Sequence, residues 1–219
     1  MTTSNARPDF YAALTDLLPP GGTLLDLACG DGALLKAALA AGAGAAEGVE
    51  ISQEGVLACV QAGLTVHHGD ITDGLTTHSD RSFDCVSLIR SLELFEKPEP
   101  VLEEMLRVGR RVLLTFTNFG RLSLALRFLA TGILPSNDPE RLGGPPARLT
   151  LPHLKHYCAH VGIRVEQIQP VPKTLLSNLL VEWYAEEIAV VLSRPPKTGA
   201  QEPVQLPLKP HNPGGKKNE

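Results

Sequence analysis

Residues 24–32 read LLDLACGDG. Leu24, Leu25 and Leu27 make the apolar run of a buried strand, and Asp26 sits near its carboxyl end. A carboxylate in that position needs a partner. Gly30 and Gly32 permit a sharp turn and a close approach of the backbone to a ligand. A helix from Ala33 then directs its N-terminal amides into the same crevice. A strand, glycine turn and helix in this order open an α/β sheet, whose ligands lie at the carboxyl ends of its strands.

The rest of the chain alternates in the same way, which predicts a doubly wound, mostly parallel sheet with helices on both faces. A first helix is expected over Phe10–Leu18, stopped by Pro19, Pro20, Gly21 and Gly22. Seven strands are expected, at Thr23–Ala28, Ala46–Ile51, Leu64–His67, Phe83–Ile89, Arg110–Thr117, Ile163–Ile168 and Val181–Ser193, the last of them antiparallel. Phe83–Ile89 is continuously apolar and reads as central. Helices are expected over Ala33–Ala41, from Ser52 to Gly63, over Pro98–Val108, over Phe119–Ala130, and from Thr150 to about His160. Gly132–Ala147, with its prolines, reads as irregular.

Two ligand classes compete for the glycine turn. A dinucleotide fingerprint, G-x-G-x-x-G, would have its third glycine where this chain has Leu35. Asp26 and Asp31 add negative charge that disfavours a pyrophosphate. The same charge suits the ammonium and sulfonium of S-adenosylmethionine. Glu50 ends the second strand 24 residues after Asp26, the spacing at which a carboxylate accepts hydrogen bonds from ribose hydroxyls. Gly69-Asp70 ends the third strand, where Asp70 can meet an adenine edge. Three acid-tipped strands in this order form the class I methyltransferase pattern. The expected cofactor-binding positions are Asp26, Ala28, Gly30, Gly32, Glu50, Ile51, Asp70 and Ile71. Each acid has a plainer reading. Asp26 can cap a helix, Glu50 can be a solvated strand end, and Asp70 can cap a loop in the turn-rich GDITDG.

Composition narrows the class. A chain of 219 residues with 43 % hydrophobic content supports one sizeable core. The formal charge of −4 speaks against a nucleic-acid-binding surface. The start MTTSNARPDF lacks the basic and apolar runs of a signal peptide. The most apolar helical stretch, Phe119–Leu134, is interrupted by Arg121, Arg127 and Gly132, so no membrane span is expected. Cys29, Cys59, Cys85 and Cys158 lie in apolar contexts and read as reduced thiols of a cytoplasmic protein. Residues 195–219 are rich in Pro, Gly and charge and read as a disordered tail. The expected organisation is one domain over 1–194, with an insert at about 132–150, and that tail.

Other polar residues carry weaker signals. His153, His156 and His160 share a helical face, but no thiol or carboxylate completes a metal set at a persuasive spacing, so no metal site is expected. His67 and His68 alternate across a strand end, which leaves His68 as a candidate for a cleft contact. Arg107, Arg110 and Arg111 follow a helix and suit either its C-terminal dipole or an anionic partner. Leu122, Leu126, Leu129, Phe119 and Phe128 give the helix after the fifth strand more apolar surface than one core face needs. That surplus fits either a core helix or a patch for a protein partner.

Several stretches together resemble one family, the methionine-biosynthesis protein MetW. They are LLDLACGDGALL, GVEISQEGVLACVQAGLTVHHGDI, SFDCVSL, VLEEMLRVGRRVLLTFTNFGRL and GIRVEQI. The resemblance covers about Arg7 to Gln169. Its specific part is Glu103–Gly120, where most methyltransferases have a Pro-Gly-Gly loop and this chain has Val108-Gly109-Arg110-Arg111. It implies a class I S-adenosylmethionine-dependent fold, with the family's cofactor positions on Asp26, Gly30, Gly32, Glu50 and Asp70. It also implies a role in methionine biosynthesis, as a methyltransferase on a small molecule or as a non-catalytic partner of a homoserine O-acyltransferase. Three departures mark a diverged member. Ala28 stands where the family has its first glycine. Ile89-Arg90-Ser91-Leu92-Glu93 replaces a Ser-Gln-Thr-Leu-Gln loop. Asn137–Thr150 lacks the aromatics and His of the family segment. Arg90 and Glu93 are the candidate substrate contacts.

Overall fold

A computed structural model describes residues 8–132 and 149–195. The strands are β1 (Thr23–Leu27), β2 (Ala45–Glu50), β3 (Thr65–His68), β4 (Phe83–Ile89), β5 (Gly109–Thr117), β6 (Arg164–Val171) and β7 (Glu187–Ser193). They form one sheet in the order β3-β2-β1-β4-β5-β7-β6. The pairings are parallel except for those of β7 with β5 and β6, which are antiparallel. The doubly wound, seven-stranded expectation therefore holds, including its antiparallel last strand. The strand order reverses between β1 and β4, and a crevice opens at such a point.

The helices are α1 (Pro8–Thr15), α2 (Ala33–Ala40), α3 (Gln53–Gln61), α4 (Pro98–Val108), α5 (Leu122–Thr131), α6 (Leu151–Val161), α7 (Leu175–Leu179) and α8 (Val181–Tyr184). Two apolar layers sandwich the sheet. Leu25, Leu27, Leu88, Leu114 and Phe116 pack with Met105 of α4 and Leu154 of α6. On the opposite face Leu24, Cys85 and Leu113 pack with Leu14 of α1, Leu35 of α2 and Cys59 of α3. All four cysteines are buried free thiols.

Several boundaries differ from expectation. β1 stops at Leu27, because Ala28 turns into the left-handed region at φ 52°. The segment expected as one strand over Val181–Ser193 divides into α8 and β7. Asn118 causes that division: its buried amide donates to the carbonyls of Glu182 (3.0 Å) and Ala185 (3.2 Å), holding a turn ahead of β7. Its Oδ1 accepts from Gly120 N at 3.0 Å, so the chain beyond β5 stays a loop until Leu122. α5 consequently starts three residues later than Phe119. α7 was not anticipated; the paired Thr174 and Ser177 hydroxyls cap it.

Arg107 in the last turn of α4, and Arg110 and Arg111 after it, are engaged internally. Arg107 binds Glu104 at 2.9 Å, Asp80 at 2.8 Å, and the carbonyls of Leu75 and His78 at 3.0 Å each, pinning the loop before β4. Arg110 pairs with Asp84 at 3.6 Å and Arg111 with Glu166 at 3.0 Å. Most of the expected insert (133–148) and the expected tail (196–219) lie outside the described residues. No described helix is long and apolar enough to cross a membrane.

Candidate functional site

The crevice is built from the ends of β1, β2, β3 and β4. The turn after β1 runs Ala28-Cys29-Gly30-Asp31-Gly32, and Ala28, Gly30 and Gly32 all have positive φ. Two of these glycines serve different ends. A Cβ on Gly30 would meet nothing within 4 Å, so the turn presents bare backbone to the crevice. A Cβ on Gly32 would lie 2.3 Å from Leu64 Cδ1, so this glycine seats α2 against the core. Ala28 adopts the left-handed conformation with a side chain, at a cost of about 1–2 kcal/mol. That strain falls at the position where the family resemblance has glycine.

Glu50 spans the crevice floor. Its carboxylate accepts from Gly30 N and Ser52 N, each at 2.8 Å, and its side chain is buried. The acid that ends β2 thus touches the glycine turn directly. Gly55 permits this closeness, since a Cβ there would meet Glu50 Cγ at 2.8 Å and Gly30 O at 2.9 Å. Gly48 acts alike one layer down, against Cys29 Sγ at 2.4 Å. Neither glycine was singled out from sequence. The usable signal was Gly48 inside a strand, which marks a close approach.

Asp26 lies beneath the turn and is 3 % exposed. It accepts from Ser87 Oγ of β4 at 2.6 Å. Burial pushes its carboxyl up to about 7; the Ser87 bond pulls it down and the Glu50 charge pushes it up again. Asp26 is therefore no helix cap. It is a buried acid on the edge of ionising, with a negative neighbour.

The third acid behaves otherwise. Asp70 Oδ1 accepts from Thr72 N at 2.8 Å and Thr72 Oγ1 at 2.7 Å, capping the short turn Ile71–Asp73. These bonds hold its carboxyl below the ordinary value. The loop-cap reading describes this contact. Ile71 is buried, whereas Ile51, just past β2, is 59 % exposed. His68 Nε2 contacts Ile51 O at 2.9 Å. His67 points to the other face and contacts Glu47.

Arg90 and Glu93, after β4, are both engaged by protein. Arg90 grips Glu187 through Nε (2.9 and 2.8 Å) and Nη2 (2.6 Å), and its guanidinium lies 4.0 Å from the Phe10 ring centre. It does so at φ 56°, another strained position. Glu93 is buried and accepts from Thr117 N. Burial raises its carboxyl above the usual range. His153, His156 and His160 stand exposed on α6.

Beyond the crevice, α5 has no buried residue among its ten. Leu126 is 56 % and Leu129 78 % exposed, and α5 touches α8, where Trp183 is 53 % exposed. The core alternative for α5 is thereby overturned. Beside α8 a groove of about 330 Å³ is lined by Leu151, Leu179, Leu180, Val181 and Trp183, with Lys155 and Glu182 at its rim.

Comparisons with known proteins agree with this fold. An S-adenosylmethionine-dependent methyltransferase from Mesorhizobium loti superposes with a TM-score of 0.60 at 16 % identity, covering 86 % of this chain and 100 % of that one. A putative methyltransferase from Haloferax volcanii, solved with the Trm112 methyltransferase activator, gives 0.61 at 17 % identity, covering 85 % and 90 %. At these identities the likeness is one of fold. A bifunctional methionine biosynthesis protein MetXA/MetW from Rhodopirellula baltica is 35 % identical over 136 residues, which are 58 % of this chain. This chain spans only 22 % of that relative's length. The family model for methionine biosynthesis protein MetW matches residues 7–168, and the chain therefore belongs to the MetW family, on a class I methyltransferase fold.

Proposed function

We propose that this protein binds S-adenosylmethionine in the β1–β4 crevice and acts on a homoserine O-acyltransferase as a regulatory partner, in the cytoplasm. The observation that carries the cofactor is the joined pair of acids. Glu50 sits on the glycine turn with a carboxylate that ribose hydroxyls can share, and Asp26 lies below as counter-charge for a cation. Ala28, Gly30 and Gly32 supply the turn. Ile51 offers an exposed apolar face for the adenine ring, flanked by Asp70 and Ile71. A dinucleotide would bring two phosphates against Asp26, Asp31 and Glu50.

The partner role is favoured over catalysis by what Arg90 and Glu93 are doing. A methyl acceptor must be held and, in many cases, deprotonated beside the methyl group. The two polar residues offered as substrate contacts, Arg90 and Glu93, are engaged by Glu187 and Thr117 N. Two further observations support a partner. The relative from Rhodopirellula baltica carries MetXA and MetW in one chain. The surface of α5 and α8 exposes leucines and a tryptophan where a soluble monomer would place charge. A methyltransferase acting on a small molecule remains the second reading, and it would require Arg90 to leave Glu187.

Titration calorimetry with the full chain tests the cofactor. S-adenosylmethionine and its demethylated product are expected to bind at one site, and NAD is not. Glu50→Ala is expected to weaken binding by about 1–3 kcal/mol, with thermal melting run alongside to register any loosening of the turn. Tight NAD binding, or an unchanged affinity in Glu50→Ala, contradicts the assignment.

A further inference from the structure

We propose that Glu47, His67 and His78 form a binding site for a divalent transition-metal ion of the Zn2+ type, on the sheet face opposite the glycine turn's helix. β2 and β3 run parallel in a register that pairs Glu47 with Thr65 and Val49 with His67. Glu47 and His67 therefore project from the same face on adjacent strands. Glu47 Oε2 and His67 Nε2 are 3.2 Å apart. The loop after Asp70 brings His78 over this pair. One ligand atom from each residue lies within 4.8 Å of the other two. In tetrahedral zinc with bonds of about 2.1 Å, ligand atoms stand about 3.4 Å apart. One pair already stands near that spacing, and the His78 nitrogen would have to close by no more than about 1.4 Å.

His78 is held for the purpose. Arg107 on α4 donates to its carbonyl at 3.0 Å, and its own N–H is bonded to Leu75 O at 2.9 Å. Its ring packs edge-on against His67 at 5.8 Å and lies tilted 5.7 Å from Phe83. Thr77 Oγ1 sits 3.1 Å from Nδ1; with Nδ1–H donating to that hydroxyl, Nε2 would be the nitrogen offered to an ion, and a ligating histidine is oriented by such a bond. The nearby Arg107 charge is balanced by Glu104 and Asp80. Two imidazoles and one carboxylate select Zn2+, Ni2+ or Cu2+ over the oxygen-seeking Mg2+ and Ca2+. An ion here would clip both ends of the 67–78 loop to the sheet, and Asp70 and Ile71 lie within that loop. The proposal does not depend on the cofactor or partner reading.

The test is calorimetric titration of the untagged full chain with Zn2+ alone. One ion per chain is expected, with a rise in melting temperature that grows with Zn2+ concentration. His67→Ala and His78→Ala are each expected to weaken binding by roughly tenfold or more, and Glu47→Gln, which keeps the shape, by a lesser factor. A His153→Ala, His156→Ala, His160→Ala triple variant should bind as the native chain does. Absence of saturable binding overturns the proposal. So does binding that survives loss of His67 and His78 but falls in the triple variant.

Discussion

Asp26→Asn is expected to stabilise the unliganded fold near pH 7 and to cost about 30- to 100-fold in S-adenosylmethionine affinity. Asn keeps the shape and still accepts from Ser87, so the 2.6 Å contact survives. What changes is charge. The folded carboxyl titrates at about 7, against an unfolded value near 4. Through that window the unfolded chain has released its proton while the folded chain retains it. Stability from this group is therefore greatest below about pH 4 and is lost as pH rises towards 7, levelling off above. The total is on the order of 4 kcal/mol, and Asn removes the whole slope. Binding carries the opposite sign. A cationic ligand favours the carboxylate, and a charge-assisted contact contributes about 2–3 kcal/mol. Uptake of the ligand should then release a proton near pH 6–7, detectable as a dependence of calorimetric heat on buffer ionisation enthalpy. Equal affinities in Asp26→Asn and the native chain would show that Asp26 is a structural acid only.

Leu126→Glu with Leu129→Glu is expected to leave the fold intact and abolish the proposed association with a homoserine O-acyltransferase. A charge forced into a packed core costs several kcal/mol. At 56 % and 78 % exposure these positions have no core to disrupt, so the melting temperature should move by no more than about 2 °C. Leu122 is less suitable, because it is half-buried at the start of α5. Co-purification from cells that make both proteins reads the outcome. Loss of the complex with retention of the fold identifies α5 as the docking helix. Retention of both moves the interface elsewhere, and unfolding returns α5 to the core.

Which parts of the site were legible follows from how local each interaction is. The places of Asp26, Gly30, Gly32 and Glu50 around the turn could be read because a parallel strand followed by a glycine turn fixes position within a few residues. The antiparallel end of the sheet was legible from the apolar run ending at Ser193. α8 was not, because its boundary is set by Asn118, 64 residues before Glu182. Arg90 looked free for a substrate, since its partner Glu187 lies 97 residues away. Glu47, His67 and His78 are joined only by strand register and a loop, and no spacing rule encodes that. Asp70 shows the local end of the range: its capping bonds to Thr72 within GDITDG are turn chemistry that the sequence signals by itself.

The most direct measurement is the rate of homoserine acylation by the cell's acyltransferase, with and without this protein, across a range of S-adenosylmethionine concentrations. The rate is expected to respond to S-adenosylmethionine only when this protein is present, and Glu50→Ala is expected to shift the response to higher concentration. An acylation rate indifferent to both the protein and the cofactor would contradict the proposed regulatory role.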